Sequence, residues 1–253
     1  MNLSFAKAFL ISSFEKSPKV IAKCDLGAKI KTVLSVAYGK LNNQDAFYID
    51  EVVDESFLQT EILSFDKVNI SNLTSALLKP KIQDNLIRGN TLFCQDIDGD
   101  NIVEIPKIAG FVEKQAVASS ISVLGIDWVN FNGTDFIHDF YSVVNLNERY
   151  LFTFPEKWLS SIVVKKDLTS NGIGFYLKNE TVEKNELIFS LLAFNNEEWK
   201  TKKIVYGYSL FKEFSDRIFA LKKESNQSFR ALEYNVSNEE LSKLFSQVTV
   251  KQR

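Results

Sequence analysis

Short β-rich runs separated by polar turns are the feature of this sequence that most constrains its fold. Four such runs follow one another before residue 66: Val20–Cys24, Ile30–Tyr38, Ala46–Val53 and Phe57–Phe65. Runs of this length, bounded by Asn, Asp, Ser or Gly, are typical of antiparallel strands joined by turns. A sheet with both faces in water is not stable, so we expect a second layer to pack against it.

The same pattern continues further along the chain. Asn132-Gly133 lies between two β-rich runs, which is the strongest local signal for a hairpin, here at residues 121–140. Six further strands are predicted: Tyr150–Phe154, Ser161–Lys165, Ile173–Leu177, Leu187–Phe194, Tyr206–Phe211 and Asp216–Leu221. We therefore predict an α+β, mostly β fold in two parts. Residues 1–144 form a β-rich half, and residues 145–253 form an α+β domain, an antiparallel sheet with helices on one face.

Helices are predicted at a few positions with capping signals. Asn195 and Glu198 match the N-terminal cap of a short helix, and Pro155 opens a single turn that carries Trp158. Asn72–Leu78 is a further short candidate. Near the C-terminus a capping box predicts a helix with one apolar stripe, formed by Ser237, Asn238, Glu239 and Glu240 and then by Leu241, Leu244, Phe245 and Val248.

An acidic loop at residues 96–104 carries the most specific chemistry in the chain. Asp96, Asp98 and Asp100 alternate, and Glu104 follows after a turn. Carboxylates at alternate positions of a tight loop converge, and the carbonyl of Ile102 is expected to join them. Several hard oxygen ligands of this kind suit Ca²⁺. The alternative is an acidic surface turn, because Asp and Gly are common turn residues.

Composition excludes several classes of function. The net charge of the 253 residues is −2, with both signs spread along the chain, which argues against a nucleic-acid partner. A single histidine, His138, excludes a multi-histidine metal site, and beside Asp139 it is best interpreted as part of a structural pair. Cys24 and Cys94 match no zinc or redox spacing, so free thiols are favoured over a disulfide. No membrane-spanning or secretory segment is expected.

The acidic loop also supports a resemblance to a known family. Asp96–Glu104 followed by Ile105-Pro106 resembles the calcium loop of FG-GAP or integrin-type β-propeller repeats. Ser35–Gly39, Thr60–Leu63 and Phe152–Trp158 resemble segments of a group of uncharacterised Firmicutes surface lipoproteins. In that group, propeller-like repeats carrying such loops precede a C-terminal α+β domain.

The resemblance implies a propeller-like first half, a structural Ca²⁺, extracellular and membrane-anchored placement, and no known enzymatic activity. Two departures stand against it. Asn101 replaces the glycine usual after the third aspartate, although Asn tolerates the left-handed conformation. The β-rich half is also too short for a closed propeller, which needs at least about four blades.

Three functions remain open from the sequence. The favoured one is a non-catalytic cell-surface or interaction module that binds an unknown protein or carbohydrate ligand and uses Ca²⁺ structurally. The second is a carboxylate-dependent hydrolase, with Glu156 and Glu198 as a candidate acid pair. The third is a cytoplasmic protein in which the loop holds no metal. Aromatic residues of the second half are expected to form a core, and Tyr206 and Tyr208 are the pair to inspect for a carbohydrate platform.

Overall fold

The computed structural model describes residues 6–12, 17–27, 30–52, 57–74, 86–88, 92–113, 122–167, 172–179, 185–202, 207–214, 216–225 and 227–248. Strands account for 57% of these residues and helices for 10%, in several antiparallel sheets with no closed barrel. The predicted α+β, mostly β class is therefore confirmed.

The described strands form one hairpin and three larger sheets. The hairpin pairs β1 (Lys7–Ser12) with β2 (Lys19–Asp25). The first sheet has the order β3-β4-β5-β6, and β7 also pairs with β5. Its strands are β3 (Thr32–Leu41), β4 (Gln44–Val52), β5 (Leu58–Phe65), β6 (Ile70–Asn72) and β7 (Ile87–Arg88).

The other two sheets lie later in the chain. One has the order β17-β11-β10-β9-β8, with β8 (Ile105–Ile108), β9 (Val123–Phe131), β10 (Phe136–Asn145), β11 (Tyr150–Phe154) and β17 (Phe245–Gln247). The other has the order β12-β13-β14-β16-β15, with β12 (Ile162–Lys166), β13 (Ile173–Leu177), β14 (Glu186–Phe194), β15 (Ser209–Phe214) and β16 (Arg217–Lys223). The helices are α1 (Asn196–Lys202), α2 (Phe229–Leu232), α3 (Asn238–Lys243) and a 3₁₀ turn at Glu156–Trp158.

The chain divides into two compact units. Unit 1 comprises the described residues of 1–107 and 127–139, and unit 2 comprises those of 108–126 and 140–250. The division falls within β8, β9 and β10. The prediction that residues 145–253 form a domain of their own stays a prediction, and the second compact unit also takes in the stretches 108–126 and 140–144.

In unit 1, successive residues of β4 point to opposite faces of the first sheet. Ala46 and Tyr48 pack with Val103 and Ile105, which follow the acidic loop. Ile49, on the other face, packs with residues of the β1–β2 hairpin and the segment after it, namely Ala8, Cys24 and Leu26. The sheet is thus covered on both faces, and β4 buries residues of both faces.

Unit 2 encloses an aromatic core between strands of two sheets. The core takes residues from β10 and β11 on one side and from β13, β14 and β16 on the other: Val143, Tyr150, Phe152, Phe154, Phe175, Phe189 and Phe219. Phe175 and Phe189 stack with ring centroids 4.4 Å apart. These aromatic residues of the second half are therefore core residues, as predicted, whereas Phe229 is 84% exposed.

The helices do not share one face of their sheet, which corrects the sequence-based expectation. Trp199 of α1 packs with Ile218 and Ala220. Leu241 of α3 belongs instead to the cluster that contains Phe219 and Leu221, the alternate residues of β16. Because alternate residues of a strand face opposite ways, α1 and α3 lie on different faces.

The C-terminal helix is also shorter than predicted. The capping box at Ser237 and Glu240 is present, but α3 ends at Lys243. Phe245 begins β17, which pairs with β11 through Phe152, so Val248 lies outside the helix and not on its apolar stripe. The predicted helix 72–78 is not seen where the structure describes it, since Asn72 closes β6, and its remainder lies outside the described residues.

Candidate metal centre

The acidic loop is shaped by hydrogen bonds to its first aspartate. Asp96 accepts the N–H of Gly99 at 2.7 Å through Oδ1 and the N–H of Asn101 at 3.0 Å through Oδ2. Gly99 and Asn101 have φ values of 87° and 70°, in the left-handed region. Gly and Asn are the residues that adopt this region most readily, so the sequence favours the turn locally. Asn101 therefore takes the conformation expected where a glycine is usual.

Three carboxylates of this loop converge. One carboxylate oxygen from each of Asp96, Asp98 and Glu104 lies within 4.8 Å of the other two. Among the described residues this is the one group of three or more Asp, Glu, His or Cys ligands at such a distance. Asp98 is exposed and Asp96 is half-buried, while Glu104 is fully buried. The group therefore opens to solvent on one side and ends on a buried carboxylate.

Glu104 is the least satisfied member of the group. Its Oε2 accepts the N–H of Ile97 at 2.9 Å, but its Oε1 is buried and has no hydrogen-bond partner among the described residues. Burial, and then the negative charges of Asp98, Asp100 and Asp139, raise the pKa of Glu104 to about 8, against the effect of the Ile97 hydrogen bond. A cation beside Oε1 would supply the missing partner and favour the charged form.

The loop is held to the first sheet along the edge of β3. Lys40 donates its N–H to the carbonyl of Asn101 at 2.8 Å, and Lys40 forms a parallel bridge with Ile102. At Gly39 an added Cβ would lie 2.6 Å from Val103 Cγ2 and 2.9 Å from the Asn101 carbonyl oxygen. Glycine at this position therefore permits the close approach of loop and strand.

A buried ion pair fixes the chain just before the loop. Arg88 Nη2 and Asp50 Oδ1 lie 2.5 Å apart, with side chains 5% and 1% exposed. Asp50 Oδ2 accepts the N–H of Cys94 at 2.6 Å, and Arg88 also donates to Thr60 and to the carbonyl of Leu92. At the other end of the loop, Glu104 forms an antiparallel bridge with Gln95. The start of the loop is thus tied to β4, and its two ends are tied to each other.

The predicted ligand set of Asp96, Asp98, Asp100, Ile102 and Glu104 is brought together in part. Asp100 is not in the converging group, and its Oδ1 accepts the N–H of Ile102 at 2.7 Å. The roles of Asp100 and Ile102 as calcium ligands stay predictions. The sequence pattern suggested Asp100 as a ligand because the alternation of aspartates alone cannot distinguish a carboxylate that faces a cation from one that caps its own turn.

Asp139 is a neighbour of the loop that sequence reasoning did not connect with it. Burial, and then the charges of Asp98 and Asp100, raise the pKa of Asp139, which stands on β10. Its place in the sequence suggested a pair with His138. His138 Nδ1 lies 2.6 Å from Asp127 Oδ1, and the charge of His138 also lowers the pKa of Asp139 against the other effects. Only the register of the β9–β10 hairpin brings Asp127 to His138, and no local motif signals that register.

The donor set fits Ca²⁺. All three converging side chains are carboxylates, and no soft ligand belongs to the group. Hard oxygen ligands, with an open side for water, suit Ca²⁺, which accepts 6–8 oxygens in a flexible shell. The unpartnered buried oxygen of Glu104 is the feature that turn chemistry alone does not require.

The other candidate sites have structural explanations. Glu198 Oε2 accepts the N–H of Asn195 at 3.2 Å, and Asn195 Oδ1 accepts the N–H of Glu198 at 2.9 Å. The predicted cap of α1 is therefore present, and it occupies the carboxylate proposed for a glycosidase pair with Glu156. Tyr208 is half-buried and packs edge-on against Phe194, with ring centroids 5.6 Å apart. Tyr206 lies outside the described residues.

The two cysteines are free and lie on opposite faces of the first sheet. Cys24 packs with Ile49 and Leu63, and Cys94 packs with Tyr48 and Ile62. Because neighbouring residues of β4 and of β5 face opposite ways, the sheet separates the two thiols.

Comparison with protein-family models, with curated proteins and with solved structures finds no match to this chain. The resemblance to surface lipoproteins with propeller-like repeats therefore stays a hypothesis. In the part of the chain that the structure describes, no helix has the length and apolar character needed to cross a membrane.

Proposed function

We propose that this chain is a non-catalytic interaction module in which the loop 96–104 binds one Ca²⁺ for a structural purpose. The observation that carries the proposal is the convergence of Asp96, Asp98 and Glu104, together with the buried Oε1 of Glu104, which has no hydrogen-bond partner among the described residues. The ion would neutralise three converging charges and tie the loop to the edge of β3. The partner of the module is proposed to be a protein or a carbohydrate.

A cell-surface location is proposed on the basis of the expected affinity. The group offers three carboxylates, one of them exposed to water, and only Glu104 is deeply buried. Sites of this kind in extracellular modules bind Ca²⁺ with dissociation constants on the order of 10⁻⁴–10⁻³ M. Such a site fills at millimolar Ca²⁺ and stays largely empty at the low Ca²⁺ of a cytoplasm.

The hydrolase alternative gains no support from the described residues. Outside the acidic loop, burial raises the pKa of Glu51 and of Glu61. These two side chains are 0% and 1% exposed. A substrate does not reach side chains that are buried to this degree. An enzyme would need its acid and base within hydrogen-bonding reach of the substrate.

Isothermal calorimetry with Ca²⁺ and with Mg²⁺ tests the proposal. The wild-type protein is expected to bind one Ca²⁺ with a dissociation constant on the order of 10⁻⁴–10⁻³ M and to bind Mg²⁺ more weakly, because Mg²⁺ demands a tighter octahedral shell. Glu104→Gln keeps the shape of the side chain but removes its charge, and it should abolish binding at millimolar Ca²⁺.

Asp66→Asn is the matched control. Asp66 is exposed and accepts the N–H groups of Val68 and Asn69 at 2.8 and 2.7 Å, so it closes a turn of similar type at which no other described carboxylate converges. This variant should bind Ca²⁺ as the wild type does. Absence of Ca²⁺ binding to the wild-type protein would mean that the loop 96–104 is only a turn of the same kind.

A further inference from the structure

Two buried glutamates lie side by side on the face of the first sheet that the β1–β2 hairpin covers. In the β4–β5 register Glu51 is opposite Gln59, and Glu61 is opposite Ile49, so the two glutamates are diagonal neighbours on one face. Glu51 is 0% exposed and Glu61 is 1% exposed. Two acidic side chains in such a position need a partner, because an unpaired buried charge is costly.

The hydrogen bonds of the two carboxyl groups are unequal. Glu61 is satisfied at both oxygens: Oε1 accepts the N–H of Gly27, and Oε2 accepts the side-chain amide of Asn72 at 2.6 Å. Neither oxygen of Glu51 receives a hydrogen bond from any residue that the structure describes. Among the described residues, Glu61 is the carboxyl group that lies diagonally across the β4–β5 register from Glu51 and whose charge acts on it.

We propose that Glu51 and Glu61 share one proton, which resides on Glu51, and that this proton fastens the end of the β1–β2 hairpin to the first sheet. An ionised carboxylate only accepts hydrogen bonds, so two of them cannot bond to each other. Glu61 already has two N–H donors and is the better place for the negative charge. Protonated Glu51 then donates its O–H to Glu61, and the pair carries a single charge.

The shared proton matters for the hairpin because Glu61 holds the chain that leaves β2. Gly27 donates its N–H directly to Glu61, and an added Cβ at Gly27 would overlap Glu61 Oε1. Asn72 bridges the same carboxylate to the carbonyl of Asp25, which it reaches at 3.1 Å. Loss of the proton would place two negative charges in the closed space under this segment. The segment 25–27 would then move away from the sheet, so that water could reach the two carboxylates.

The surrounding charges favour retention of the proton. Burial, and then the neighbouring charge of Glu61, raise the pKa of Glu51, while burial raises the pKa of Glu61 against the hydrogen bonds from Gly27 and Asn72. The nearby cations are engaged with other acids: Arg88 of β7 pairs with Asp50 on the opposite face, and Lys7 of β1 pairs with Asp25 at the end of β2. The remaining titratable neighbour on β2 is Cys24, and Asn72 of β6 is neutral.

Stability as a function of pH tests the proposal, with Glu51→Gln as the informative variant. A group whose folded-state pKa is raised stabilises the protein below its unfolded pKa, and this stability is lost as the pH rises toward the folded value. Above the ordinary glutamate pKa of about 4.3, the unfolding equilibrium constant should therefore rise by about tenfold per pH unit from this proton alone. Glu51→Gln donates an N–H to Glu61 at every pH, so the variant should lack this part of the slope.

Glu148→Gln is the matched control, because Glu148 is also a buried glutamate but is paired with Arg217 at 3.1 Å. That variant should keep the wild-type slope. Other titrating groups, including Glu104, are common to the wild type and Glu51→Gln, so the difference between the two curves isolates the pair. Equal slopes in the wild type and Glu51→Gln would overturn the proposal.

Infrared spectroscopy of the folded wild-type protein tests the proton directly and does not depend on whether the variant folds. At neutral pH the wild-type spectrum should contain a C=O stretch of a protonated carboxylic acid that persists in Glu104→Gln, which removes the other carboxyl with a raised pKa, and Glu51→Gln, where folded, should lose this part of the band. In the wild type the band should disappear as the pH rises. Absence of this band at neutral pH would contradict a shared proton. A band that appears only after a bound cation is removed would contradict it as well.

Discussion

The interiors of the two compact units differ in the side chains that they bury. Unit 1 buries a group of charged side chains, namely Asp50, Glu51, Glu61, Arg88 and Glu104, whereas the charged residue buried in the described part of unit 2 is Glu148. Unit 2 is built around rings, and Phe175 alone contacts Phe152, Trp158 and Phe189 at centroid distances of 5.1, 6.1 and 4.4 Å. The aromatic core of unit 2 is stabilised by burial and ring packing, which depend on neither protons nor ions.

The two proposals make part of the stability of unit 1 dependent on solution conditions. Each buried charge there is matched by a partner: Arg88 by Asp50, the Glu51–Glu61 pair by a proposed proton, and Glu104 by a proposed cation. A charge buried without its partner costs several kcal/mol. On these two proposals protons and Ca²⁺ act on unit 1, and the aromatic core of unit 2 should respond only to changes in its packing. The predictions below test this difference, from the largest effect to the smallest.

Removal of a central ring should produce the largest loss of stability. Phe175→Ala deletes a fully buried side chain from the core of unit 2 and leaves a cavity, which should lower the free energy of unfolding by about 3–5 kcal/mol. Chemical denaturation measures this loss. It should be the same with and without Ca²⁺ and should not change between pH 5 and pH 8. A loss that depends on Ca²⁺ would show that the two units are not chemically distinct in this way.

Arg88→Lys should have the next largest effect. Lysine keeps the positive charge beside Asp50 but cannot also donate to Thr60 and to the carbonyl of Leu92. The expected loss is about 1.5–3 kcal/mol, because hydrogen bonds of a buried charged group are removed. Arg217→Lys is the control, since Arg217 is 39% exposed and its pair with Glu148 should contribute less. Equal losses in the two variants would contradict a special role for the buried pair of unit 1.

Gly39→Ala should lower both the stability of the protein and its affinity for Ca²⁺. The added methyl group would press on Val103 and on the carbonyl of Asn101, at an expected cost of about 1–3 kcal/mol. Because the loop must shift away from β3, the variant should also bind Ca²⁺ more weakly in calorimetry. Gly110→Ala is the control, as nothing lies within 4 Å of its added Cβ and the change should be nearly neutral. Unchanged Ca²⁺ affinity in Gly39→Ala would show that contact with β3 does not shape the site.

Sequence reasoning predicted the features that local chemistry determines. The turn at Asn132-Gly133, with Gly133 at a φ of 98°, the caps at Asn195 and Ser237, and the left-handed Asn101 all follow from a few neighbouring residues. These signals act within one turn of chain, so a single sequence contains them. The carboxylates of the acidic loop were found for the same reason.

The features that were missed depend on contacts between distant residues. Phe245 extends a strand because it pairs with Phe152, and this partner overrides the helical pattern that precedes it. Glu51 meets Glu61 only through the β4–β5 register, and Arg88 reaches Asp50 from a two-residue strand. Nothing in the neighbouring residues of any of these positions indicates its partner. Residue patterns show which groups are polar but not which of them are buried together.

Calcium should stabilise the protein by a small amount. With a dissociation constant on the order of 10⁻⁴–10⁻³ M, about 1 mM Ca²⁺ would add roughly 0.4–1.4 kcal/mol to the free energy of unfolding. The melting temperature measured by calorimetry should rise by a few degrees at most. The double variant Asp98→Ala, Asp100→Ala should lose this response, and Phe175→Ala should retain it. A similar rise with an equal concentration of Mg²⁺ would indicate general screening of charge.

Nuclear magnetic resonance during a Ca²⁺ titration tests calcium binding by the loop most directly, because single amide groups report on single carboxylates. The amides of Gly99 and Asn101 donate to Asp96, and the amide of Ile97 donates to Glu104. If Ca²⁺ binds between these carboxylates, the three resonances should shift together and saturate at millimolar Ca²⁺. The amides of Val68 and Asn69, which donate to the isolated Asp66, should stay in place. Shifts of equal size in the two loops, or none in either, would contradict a calcium site at residues 96–104.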